Sequence, residues 1–146
     1  MTIAREELDA IFERAPILAE RVRGSDPVSI IASARALIAE MSEVDRIAVL
    51  NAHPRIGADP GSLSALSRRE QGSAGELETL RDLAAMNDEY EVRFGFRFVV
   101  FVAGRSTSAI VPVFRERLRR SRAQELATAV EEFLAITRDR LERAER

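Results

Sequence analysis

The chain contains no cysteine, no tryptophan and a single histidine, and all 22 of its basic residues are arginine. Without cysteine there are no disulfides, thiol nucleophiles or zinc–thiolate sites. Without lysine there is no Schiff-base amine and no P-loop lysine. One histidine leaves a transition metal needing an almost all-carboxylate shell, so no metal site is expected. Charge of one sign is lacking too: the formal net charge is -2, which implies no general affinity for nucleic acid or an anionic membrane. Nor does any segment approach 18 apolar residues. The N-terminal stretch MTIAREELDAIFERAP carries acidic residues where a signal peptide needs a basic start, and the expectation is a soluble, cytoplasmic protein.

What is present is core-forming. A length of 146 residues with 46% hydrophobic content fits one domain spanning residues 1–146. Hydrophobic spacing is helical nearly throughout. Leu8, Ile11 and Phe12 recur at helical intervals until Pro16 ends or bends the element. In SDPVSIIASARALIAEMS, Asp26 reads as an N-cap with Pro27 at the first helical position. Ser42 caps a further helix through Ile47 and Leu50, which Pro54 terminates, leaving His53 at a helix C-terminus. Helical patterning returns through Leu77, Leu80, Leu83, Met86 and Tyr90. A long last helix carries Leu126, Val130, Phe133, Leu134, Ile136 and Leu141.

One segment breaks this pattern. FGFRFVVFVAG, residues 94–104, is aromatic and β-branched and reads as a strand by propensity, yet no second strand offers it a partner. It is expected to thread extended and buried among helices, or to pair across a dimer. After it, Ser106 or Ser108 opens a helix that Pro112 bends. The arginine-rich RERLRRSR, residues 115–122, has no interleaved aromatics and reads as a solvated helix face. The C-terminal helix is expected to carry i,i+4 pairs such as Glu142 with Arg146.

The candidate site begins at His53 in LNAHPRIG, at the mouth of the chain's richest Gly/Pro/Ser loop. Imidazole titrates near neutrality and suits proton transfer; the alternative is a ring packed under the loop with one nitrogen bonded to a carbonyl. The loop closes at SRREQ, where Ser67 and Glu70 have capping-box spacing. A cap does not require Gln71, whose amide suits an amide-like ligand, and a helix N-terminus offers free N–H donors.

AHPRIG, SRREQ followed by Ala74 and Gly75, NDEYEVRFGFRFVVFVAGRS and AITRDRL, in that order, resemble the 2-oxo-4-hydroxy-4-carboxy-5-ureidoimidazoline (OHCU) decarboxylases of urate degradation. The resemblance runs from about residue 50 to the end. It implies an all-α domain of about seven to nine helices with one extended buried aromatic segment, usually a homodimer, using no cofactor. The implied reaction converts OHCU to (S)-allantoin with loss of CO2. His53 is then the proton donor, Glu70 a second catalytic group, and Arg140, ahead of Arg138, the catalytic arginine of the last helix. Pro54, Ser67 and Gln71 line the substrate site, with the backbone of Arg97, Phe98, Val99, Val100 and Phe101. The family's F-G-F-P-F reads F-G-F-R-F here, and the stretches flanking Ser67 and Gln71 are a few residues short. Two further readings stay open: a non-catalytic dimerisation or ligand-binding module on this scaffold, and a decarboxylase or hydrolase of a related ureido acid.

Overall fold

The structure, a computed structural model, describes residues 5–12, 15–57 and 77–144. These form helices α1 (Arg5–Ile11), α2 (Pro16–Ala19), α3 (Pro27–Glu40), α4 (Glu43–Asn51), α5 (Leu77–Phe94), α6 (Thr107–Arg117) and α7 (Arg122–Ala144), with no strand among the described residues. Pro16 opens α2, where a missing N–H costs nothing, whereas α1 has already ended at Ile11.

Local capping explains most boundaries. The Asp26 carboxylate accepts the Ser29 N–H at 2.8 Å, and Pro27 occupies the first position of α3. The Ser42 hydroxyl accepts the Asp45 N–H at 3.2 Å to start α4, and the Ser106 hydroxyl accepts from Ala109 at 3.2 Å to start α6. Pro112 lies inside α6, so the Ser108 carbonyl goes without its helical donor. Gly95 ends α5 with φ +81°, a conformation only glycine adopts at little cost.

The long helix α7 is the axis of the packing: α1, α3 and α4 lie against it, while α5 packs on α6. Phe12, Leu18, Leu50, Leu83, Ile110 and Leu134 are buried in one continuous core. Residues 96–102 run through this core without helix or strand, burying Phe96, Phe98, Val99, Val100 and Val102. The threaded reading of the segment therefore holds within one chain.

RERLRRSR departs from the expected solvated face. Arg115 and Arg119 are exposed, but Arg117 points inward, its side chain only 7% exposed and its Nε 2.8 Å from the fully buried Glu125. The helix turns a cation inward because a buried carboxylate waits for it, a pairing the run of arginines alone does not reveal. The Glu142–Arg146 pair falls outside the described residues; Glu142 accepts instead from Arg138 at 2.9 Å.

The turn after His53 is held by close approach. Gly57 has φ +79°, and a Cβ there would lie 3.3 Å from Leu83 Cδ1 in α5. Gly57→Ala is expected to destabilise the protein by about 1–3 kcal/mol, read as a lowered urea midpoint; an unchanged midpoint would show that the turn relaxes freely.

Candidate active site

Helix α4 runs out at Asn51, and the His53 N–H still reaches back to the Leu50 carbonyl at 3.2 Å before Pro54 redirects the chain. This places His53 in the core and leaves Pro54 half-buried.

Two arginines from distant parts of the chain meet at this turn. The Arg97 Nη1 donates to the Asn51 carbonyl at 2.8 Å and to the His53 carbonyl at 3.2 Å. Its backbone N–H donates to Asn51 Oδ1 at 2.9 Å, so side chain and main chain grip the α4 C-terminus together. The cation also complements the negative end of the helix. Arg140, buried in α7, donates to the Ile11 carbonyl at 2.8 Å and ties the end of α1 to the same region. Arg138, two residues away, is more than half exposed and faces Glu142.

The histidine responds to this setting. Burial, then the charges of Arg140 and Arg97, push its pKa down from 6.5 to about 3, so the imidazole is neutral throughout the physiological range. Negative charge nearby would oppose both arginines and favour a proton there. The site is therefore matched to an anion.

The irregular segment is anchored by side chains of two helices. The Val99 carbonyl accepts from Arg117 Nη1 at 2.6 Å, and the Phe101 N–H donates to Glu132 Oε1 at 3.2 Å. The N–H groups of the buried Phe98, Val99 and Val100 have no hydrogen-bond partner among the described residues. Ser67, Glu70 and Gln71 lie outside the described residues. Among the described residues, no group of three or more His, Cys, Asp or Glu has the arrangement to hold a metal. A cleft of about 460 Å³ between α3 and α7, bordered by Arg35, Arg46, Leu126 and Glu131, contains none of the site residues.

Sequence reasoning missed Asn51, Glu132 and Arg117, each of which fixes backbone of the site. Asn51 carried a signal in its position at the end of a helix before His-Pro, where a short amide side chain can bond to main chain. Glu132 and Arg117 lie on helix surfaces in sequence, and only the tertiary packing singles them out.

The lowered pKa has a stability consequence. The unfolded chain protonates His53 below about 6.5 while the folded chain does not until about 3. The neutral folded form is thus fully favoured above pH 6.5, and stability falls as pH drops from there toward 3. Between pH 6.5 and 5 the loss is about 1.5 kcal/mol. Thermal unfolding of the wild type and His53→Asn across that window tests this: the variant should lose most of the slope, and equal slopes would refute the neutral, buried imidazole.

Comparison with known proteins places this arrangement. The OHCU decarboxylase family model matches residues 2–142. The 2-oxo-4-hydroxy-4-carboxy-5-ureidoimidazoline decarboxylase of Haloferax volcanii is 33% identical over 140 residues, covering 90% of this chain and 82% of the relative. The uric acid degradation bifunctional protein PucL of Bacillus subtilis is 31% identical over 144 residues, covering 93% of this chain and 29% of that longer protein. A crystal structure of an OHCU decarboxylase determined in the presence of (S)-allantoin superposes with a TM-score of 0.77 at 22% identity, covering 94% of this chain and 96% of that one, and shares the fold. The family model matches almost the whole length and a relative is one-third identical over nine-tenths of the chain: this chain belongs to the OHCU decarboxylase family.

Proposed function

We propose that the protein decarboxylates 2-oxo-4-hydroxy-4-carboxy-5-ureidoimidazoline to (S)-allantoin in urate degradation, without a cofactor. The observation that carries this reading is the neutral His53 buried within the field of Arg140 and Arg97. OHCU carries a carboxylate on a carbon next to a ring carbonyl. Breaking that C–C bond releases CO2 and leaves the electron pair delocalised as an enolate, so the substrate supplies its own electron sink. The protein has to orient the carboxylate, stabilise the developing oxyanion and deliver one proton to one face.

The proposed roles follow from the electrostatics. The substrate carboxylate balances the arginine charges that oppose protonation of His53, so the bound complex takes up a proton from solvent onto the imidazole. After CO2 departs, that proton passes to the carbanionic carbon and His53 returns to its neutral form. Arg140 positions anionic oxygen, and an unpartnered backbone N–H within residues 98–100 donates to a ring oxygen. Pro54 and the side chain of Arg97 shape the adjoining wall. Family resemblance supports Glu70 as the residue that orients His53, and Ser67 and Gln71 as the groups that hold the ureido and hydantoin moieties. We further propose one domain over residues 1–146 with seven to nine helices, acting as a cytoplasmic homodimer; the family's usual dimeric state supports the last point.

The test generates OHCU in place from urate with urate oxidase and hydroxyisourate hydrolase and follows circular dichroism. Spontaneous decay gives racemic allantoin, so a lasting (S)-allantoin signal reports catalysis. His53→Ala should reduce kcat/KM by about 10²–10⁴-fold with the far-ultraviolet spectrum unchanged. A signal that decays at the spontaneous rate with wild-type protein favours the binding module, and turnover of another ureido carboxylate the related enzyme.

A further inference from the structure

A buried polar cluster with no role in the steps above sits where α5, α6 and α7 meet the irregular segment. Glu125 Oε1 accepts from the Tyr90 hydroxyl at 2.6 Å and from Arg117 Nε at 2.8 Å, while its Oε2 accepts from Arg120 at 2.9 Å. Glu125 is fully buried and Arg117 nearly so. Apolar residues of similar volume often stabilise a core as well as a buried ion pair does. The pair needs a reason beyond stability.

Its contacts supply one. Arg117 Nη1 donates to the Val99 carbonyl at 2.6 Å, and the same guanidinium lies 4.4 Å over the Phe98 ring, which stacks on Phe114 at 3.7 Å. Peptide units are planar and trans, so the carbonyl of one residue and the N–H of the next point in opposite directions. Pinning the Val99 carbonyl toward Arg117 therefore points the Val100 N–H away from it. The next peptide unit is fixed as well, because the Phe101 N–H donates to Glu132. The Val100 N–H, part of the first anchored unit and followed directly by the second, has no partner among the described residues.

We infer that Arg117 and Glu125 are positioning residues that aim the Val100 N–H at an oxygen of the bound ureidoimidazoline. This rests on the decarboxylase reading above, in which the backbone of residues 97–101 lines the substrate site, and adds the device that orients one of its donors. Glu125 fixes the guanidinium plane, Tyr90 fixes Glu125, and Arg117 sets the peptide. A lysine in place of Arg117 would lack the planar fork that reaches carboxylate and carbonyl together.

The test replaces the three buried polar heads at once, Tyr90→Phe with Arg117→Met and Glu125→Leu, so that the one cation losing its carboxylate is Arg120, whose side chain is a third exposed and reaches solvent. The folded triple variant should keep a melting temperature within a few degrees of wild type and lose about 10²-fold in kcat, with a smaller change in KM. A purely structural role would alter melting and leave kcat per folded molecule intact, which would overturn the inference. A second measurement on the wild type does not depend on the variant folding. In ¹⁵N NMR, saturating (S)-allantoin should shift the Val100 amide proton downfield, and an unmoved Val100 resonance in the allantoin complex would also overturn the inference. A wild type that neither decarboxylates OHCU nor binds allantoin would remove the functional reading itself, an outcome distinct from an active wild type with an equally active triple variant.

Discussion

The structure depends on burying a stretch of backbone that belongs to neither helix nor sheet. Residues 96–102 cross the core, and buried N–H and C=O groups without partners are costly. No neighbouring strand serves them among the described residues, and those that are paired are paired mostly by side chains. Asn51 accepts from Arg97, Arg117 donates to Val99, Glu132 accepts from Phe101, and Arg105 donates to Phe101 and Val102. These partners come from α4, α6, α7 and the turn before α6. These helices are thereby tied to one irregular segment, which is anchored along its length although it has no regular structure.

The all-arginine composition gains a physical meaning here. Arginine stays charged when buried and offers several donors in a fixed plane, whereas a buried lysine sheds its proton. Arg97 bonds two carbonyls with one nitrogen, Arg117 serves a carboxylate and a carbonyl together, and Arg140 holds the α1 terminus from within the core. Three cations thus act as structural donors while keeping their charge. Two of them project that charge onto His53. Packing and site electrostatics come from the same side chains.

This double use marks what the sequence could reveal. The helices α3, α4, α6 and α7 were legible because caps and periodicity are local: Asp26 with Pro27, Ser42 and Ser106 each act on donors within three residues. The position of His53 was legible for the same reason, since Pro54 alone ends the helix. The strand-like segment was legible as an anomaly, because propensity reports shape and apolarity and says nothing of a partner. Arg117 was not legible. Its neighbours Arg115 and Arg119 are solvated, and what turns Arg117 inward is Glu125 from another helix, together with a carbonyl 18 residues upstream. The neutral state of His53 was equally hidden, being set by burial and by arginines 44 and 87 positions away in sequence.

The site's electrostatics bear on timing as well as strength. A proton donor that is charged before substrate arrives would be solvated or paired, and that arrangement would have to be undone for chemistry. His53 is instead neutral in the free protein, and in the proposed reaction the substrate's carboxylate supplies the charge that lets it take up a proton. Protonation and binding are then linked, each favouring the other by the same free energy. CO2 leaves as a neutral molecule, so the negative charge stays on the ring as the enolate until His53 gives its proton to carbon, after which the arginines again oppose a proton on His53. Protonation of the carbon removes the enolate charge and the imidazolium charge together, and the restored neutral imidazole no longer attracts the product.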